Sequence, residues 1–278
     1  MNNTFSFNRF KNLLLKDGKM YLRNFGTTII ALCCMTAILW IFNLLFGTSV
    51  AGMSRFSIIA ATVIVAMMVV PSKVYGKANL SREGVGYAML PASTLEKFVS
   101  MFIYCTFVTP IVVFFGGYLI DALLSLFPFG GFEEPIHLYS LKEIYGMANN
   151  DEGMVQMGDV RVPFDTVLPI GIMRAQIILK TIQWSAVFML GNMIFKKHKA
   201  GRTFACVLGI SYVLSSLLAL TFMRSEWFKN AMKGIETFSE MQFVQTFRTS
   251  MIWGTVLSIV ITGLLLYFTY RKIKTQKY

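Results

Sequence analysis

Five stretches of this chain carry no Asp, Glu, Lys or Arg: residues 24–54, 56–72, 98–120, 203–223 and 249–270. A sixth and shorter one covers residues 181–195. Apolar runs of about 20 residues match the thickness of a bilayer core. Hydrocarbon offers the backbone no hydrogen-bond partners, so each run has to be a helix that satisfies its own polar groups. Composition points the same way: 14% of the 278 residues are charged, against about 25% in a soluble domain. The expected fold is an all-α polytopic membrane protein with six transmembrane helices, over about 25–47, 55–72, 98–121, 175–195, 203–223 and 250–270. The second and fourth are the least marked of these, and without them the chain has four spans and longer loops.

Lys and Arg fix the orientation. Arg9, Lys11, Lys16, Lys19 and Arg23 precede the first span, and Lys73, Lys77, Arg82 and Lys97 separate the second from the third. Lys196, Lys197, Lys199 and Arg202 separate the fourth from the fifth, and Arg271, Lys272, Lys274 and Lys277 follow the sixth. Thus 17 of the 26 basic residues fall on one side. The loop over 126–168, on the other side, holds Glu133, Glu134, Glu143, Asp151, Glu152, Asp159 and Asp165. The positive-inside rule places both termini in the cytoplasm, which agrees with an even number of spans. The net charge of +12 is divided among short flanking segments. It therefore reads as contact with anionic membrane lipids and not with nucleic acid.

Four segments lie outside the spans. Residues 1–24 place Phe7, Phe10 and Leu14 on one helical stripe among cations, the composition of an elbow helix in the membrane interface; a disordered basic tail is the other reading. In the cytoplasmic segment 73–97, Ser93 and Glu96 fit a capping box. Pro91 disfavours helix at Leu90, so a short element ends near Met89, turns at Leu90-Pro91 and restarts at Ser93. With Tyr87, Met89 and Leu90 clustered there, the segment reads as a docking surface, or as a turn that only steers the next helix. The outer loop, 126–168, is expected to be solvated and acidic. The outer segment 224–248 spaces Phe228, Met232, Ile235 and Phe238 as an amphipathic helix does.

Reactive chemistry is missing. There is no HExxH, GxSxG or GxxxxGK[ST]; Gly84-Val85-Gly86 lacks the third glycine of a dinucleotide loop. His137 and His198 fall on opposite sides of the membrane. Cys33, Cys34, Cys105 and Cys206 show no ligand spacing and read as packing residues. The chain is therefore expected to be no enzyme, with no cofactor and no metal site, and any work it does draws energy from elsewhere. The apolar run starting near residue 24 is too long for a signal peptide and is expected to stay as an anchor. Gln176, Lys180 and Gln183 form a polar stripe in the fourth span, a candidate pathway lining. Lys180 either snorkels to the interface or faces a cavity. Pro110 and Gly116-Gly117 mark a kink or a close helix contact in the third span.

The chain resembles a known family in its opening Phe7-Asn8-Arg9-Phe10-Lys11-Asn12-Leu13-Leu14-Leu15-Lys16, followed by Lys19-Met20-Tyr21-Leu22-Arg23. Further resemblance lies in Leu90-Pro91-Ala92-Ser93 and Leu95-Glu96-Lys97-Phe98. It looks like the membrane-spanning permease subunits of bacterial ABC exporters, the six-helix class with a separately encoded ATPase, and is similar to permease-like proteins of the Bacteroidetes. The resemblance implies an inner-membrane protein that pairs with a second permease subunit to enclose a translocation path. It implies that a separate ABC-type ATPase docks on Tyr87, Leu90, Pro91, Ser93 and Glu96. Small residues Gly209, Ser211 and Ser215 in the fifth span permit close helix approach within such a dimer. A membrane anchor or sensor whose acidic outer loop binds a partner is the alternative function.

Overall fold

The computed structural model describes residues 5–47, 52–80, 84–127, 132, 136, 154–157, 160–163, 170–224 and 240–275. Six helices among them are long and apolar enough to cross a membrane, which makes this a multi-pass membrane protein. Helix α1 (Phe7–Cys33) buries Leu13, Asp17, Tyr21 and Phe25 at four-residue spacing, so one stripe of it faces the bundle. No break occurs at the expected elbow boundary near residue 24. The helix runs on for about 40 Å, and its one irregularity is Cys34, which joins it to α2 (Met35–Phe46). Gly47, in the left-handed region with φ 61°, closes α2, a conformation that a Cβ disfavours.

Helix α3 (Gly52–Val74) returns antiparallel to α1, with Pro71 in its last turn. A 3-10 turn (Gly76–Asn79) and the short α4 (Gly84–Ala88) lead to α5 (Thr94–Ile103). A π-helical turn (Tyr104–Val108) joins α5 to α6 (Thr109–Leu124). The irregularity expected at Pro110 is this π turn: proline has no N–H for the usual bond, and the ladder is re-registered just upstream. Thr109 helps, donating its hydroxyl to the Tyr104 carbonyl at 2.7 Å. Both glycines of the pair are close contacts. A Cβ on Gly116 would lie 2.6 Å from Cys33 Sγ, and one on Gly117 would lie 3.3 Å from Ile59 Cγ2.

Between α6 and the next spanning helix, β1 (Met154–Met157) and β2 (Val160–Pro163) form an antiparallel hairpin with Met157 opposite Val160. It is a small departure from the otherwise helical elements among the described residues. The loop's acidic residues and His137 are outside the described residues, as are Phe228, Met232, Ile235 and Phe238. Helix α7 (Ile170–Ile194), a turn with His198 at φ 48°, and α8 (Lys199–Arg224) follow. The last helix, α9 (Glu240–Thr275), is 36 residues long, so the end of the segment over 224–248 and the sixth span are one helix. The core joins α1, α3, α5, the π turn and α7 through Phe25, Val70, Tyr75, Met101, Cys105 and Met189. Helices α8 and α9 sit at its edge.

Candidate functional site

The end of the bundle where α1 begins and α9 finishes is organised around the start of α5. Ser93 takes extended geometry (φ −67°, ψ 158°) and its hydroxyl accepts the Glu96 N–H at 3.2 Å. Glu96 Oε2 accepts the Ser93 N–H at 2.8 Å, completing the capping box read from the sequence. The turn before it is also closed: the Ala92 N–H donates to the Leu90 carbonyl at 2.7 Å, and the Met89 N–H donates to Val85 at 2.9 Å. Lys97 Nζ donates to the Tyr87 carbonyl at 2.9 Å and lies 5.3 Å from its ring. These contacts fix Tyr87, Leu90, Pro91, Ser93 and Glu96 as one unit, though with different parts in it. Met89 is 79% exposed, Pro91 and Leu95 are exposed, and Leu90 and Tyr87 are half-buried. Ser93 and Glu96 are buried, so they position the turn and leave any outside contact to Met89, Leu90, Pro91 and Leu95.

Glu96 has a further role that a local motif does not reveal. Its Oε1 accepts the backbone N–H of Ser6 at 2.8 Å and Arg9 Nη2 at 3.3 Å. This begins a polar seam along α1. One turn on, Ser100 donates to Asp17 Oδ2 at 2.6 Å, and one turn further Tyr104 donates to the Leu14 carbonyl at 2.8 Å. Tyr21 reaches Thr109 Oγ1 at 3.3 Å. The spacing 96, 100, 104 puts all three side chains on the face of α5 and the following π turn that meets α1.

The seam is anchored laterally. Tyr75 donates to Asp17 Oδ2 at 3.3 Å; burial, then the nearby Asp17, push its phenol well above the ordinary tyrosine range, which keeps it a neutral donor. Asn192 Nδ2 donates to the Tyr75 carbonyl at 3.3 Å, and Asn79 donates to the Asn192 and Phe195 carbonyls. Lys199, at the start of α8, donates to the Gly76 carbonyl. Thr106 in the π turn meets Ser185 of α7 at 2.7 Å. The turn at Leu90-Pro91 is thus joined through α5 to α1, α3, α7 and α8.

The stripe on α7 divides. Gln176 turns to α9, donating to Thr255 Oγ1 at 2.9 Å and the Met251 carbonyl at 3.2 Å. Lys180 is exposed and donates to Gln183 Oε1 at 3.1 Å. Among the described residues no group of His, Cys, Asp and Glu is arranged to hold a metal ion.

At the opposite end lies a pair that the sequence reading passed over. Arg55 Nη1 donates to both oxygens of Asp121, at 3.2 and 3.3 Å, with both side chains buried. Phe132 stacks 4.3 Å from the guanidinium, and the Ile136 N–H reaches Asp121 Oδ2 at 3.3 Å. The signal was present: Arg55 is the single charge between two charge-free runs, and Asp121 directly follows another. Comparison with protein-family models, curated proteins and solved structures finds no match.

Proposed function

We propose that the chain is the permease subunit of an ABC exporter, forming half of a transmembrane path in the bacterial cytoplasmic membrane. A separate ATPase drives it from the cytoplasmic side, where the basic segments and both termini lie. The observation that supports this reading is the exposed Met89–Pro91 turn, hydrogen-bonded within itself and continued without a linker into a spanning helix. With no phosphate-binding loop in the sequence, hydrolysis has to be felt through a contact, and a rigid turn fused to a span transmits displacement where a loose loop absorbs it. The seam from Glu96 to Thr109 extends that displacement to α1.

Leu90→Asp tests the reading. It places a charge in the apolar contact face while leaving the Ser93–Glu96 caps intact. At wild-type expression in membranes it is expected to abolish co-purification of the ATPase and stimulation of its activity. If both persist, the turn only steers α5. The anchor or sensor reading gains from the mooring of the outer loop by Phe132 and Ile136; it predicts partner capture from the outside and indifference to Leu90→Asp.

A further inference from the structure

The face of α1 turned away from the core carries Lys16, Lys19 and Arg23, spaced three and four apart, with Asn12, Leu15 and Met20 lining the same groove. The stripe Leu13, Asp17, Tyr21 and Phe25 is buried on nearly the opposite side, so packing fixes where these cations point. Among the described residues no acidic side chain forms an ion pair with them. The two ion pairs present are Arg9–Glu96 and Arg55–Asp121. Three exposed positive charges, none in an ion pair among the described residues, lie within about 10 Å of helix axis, comparable to the headgroup layer on one side of a bilayer. Beyond Arg23 the same face changes character. Gly26 has nothing within 4 Å of where a Cβ would stand, Thr27 is exposed, and Ile30 is 66% exposed.

We infer that this face of α1 is a binding site for one anionic phospholipid, its phosphate on Lys19 and Arg23 and its acyl chains along Gly26, Thr27 and Ile30. The order of polarity along the helix is the order along a lipid: amide and cations first, then an open notch, then apolar surface. The Arg23 guanidinium offers a planar fork to phosphate oxygens. Lys16 and Lys19 add point charges, and Leu15 and Met20 in the same groove offer apolar surface to their alkyl stems. The inference does not depend on the permease reading, since it needs only the membrane and the exposed face.

The test uses full-length protein in nanodiscs of mixed phosphatidylcholine and phosphatidylglycerol, released into the gas phase for native mass spectrometry. Wild type is expected to retain phosphatidylglycerol in preference to phosphatidylcholine. The K16Q/K19Q/R23Q variant is expected to lose that retention, at about fivefold per cation and on the order of 100-fold in all. K196Q/K197Q/R202Q removes as many charges from the same end of the molecule and is expected to retain the lipid as wild type does. R23Q alone, expected to show about fivefold weaker retention, serves if the triple variant fails to insert. The site is overturned if the variant set at α1 retains lipid undiminished, or if the control set loses as much. Displacement of the lipid by inorganic phosphate would also overturn it, by showing an anion site in place of a lipid site.

Discussion

Arg55 and Asp121 show what a single buried charge demands in this molecule. Each is almost wholly removed from solvent, so each depends on the other, on the Phe132 ring and on the Ile136 N–H to replace lost hydration. Removing one partner strands the other. Arg55→Ala is expected to cost about 3–5 kcal/mol, whereas the Arg55→Leu/Asp121→Leu double variant should lose far less, a non-additivity readable by thermal unfolding in detergent. Asp17 makes a different demand. Its Oδ2 takes two donors while Oδ1 is buried with no partner. Asparagine keeps an acceptor for Ser100 and Tyr75 and brings no charge, so Asp17→Asn should be tolerated. Asp17→Leu strands both hydroxyls and should lose about 1–3 kcal/mol, measured by the same unfolding.

Local chemistry accounts for the elements that were legible in the sequence. Ser93, Glu96 and Pro91 act within a few residues of each other, and their cap and turn formed where the spacing placed them. Partners from distant elements were not legible: Ser6 and Arg9 meet Glu96 across about 90 positions, and no short pattern encodes that. The helices at the membrane ends were equally opaque. The charge-free runs mark where lipid begins, but α1 and α9 continue past that point because helix satisfies the backbone in either solvent. Close packing sets the limits between elements. At Gly191 a Cβ would overlap the Thr203 side chain, across the seam of α7 and α8. Gly191→Ala is therefore expected to cost about 1–3 kcal/mol, and adding Thr203→Ala should recover part of it. Full stability of Gly191→Ala alone would show that the two helices separate easily.

Viewed whole, the bundle is unevenly buried, and this bears on assembly. The windows of α3, α5–α6 and α7 are 33–39% buried, while those of α8 and α9 are 6% and 11% buried. Helix α9 meets the rest mainly along α7 and α5, and α8 along α7 and α3. Lipid covers such apolar faces without difficulty, so exposure alone does not require a partner. The proposed function does: among the described residues the core of α1, α3, α5 and α7 is filled by Phe25, Val70 and Met101, so the path that function requires is expected between subunits. Helix α9 packs closely on α7, so the least buried helix, α8, is where a second subunit has access. On α8, Gly209 has nothing described within 4 Å of where a Cβ would stand, so a second helix can approach closely there. Replacing Gly209 with Leu adds bulk where no described residue is packed. Folding should therefore be unchanged while a dimer, homomeric or with a sister permease, comes apart. Subunit counting in a native-like bilayer mimic, with thermal unfolding as the control, gives the outcome. If Gly209→Leu dissociates the assembly at unaltered stability, α8 lies in the interface; if wild type is already a monomer and transports, the half-path model is wrong.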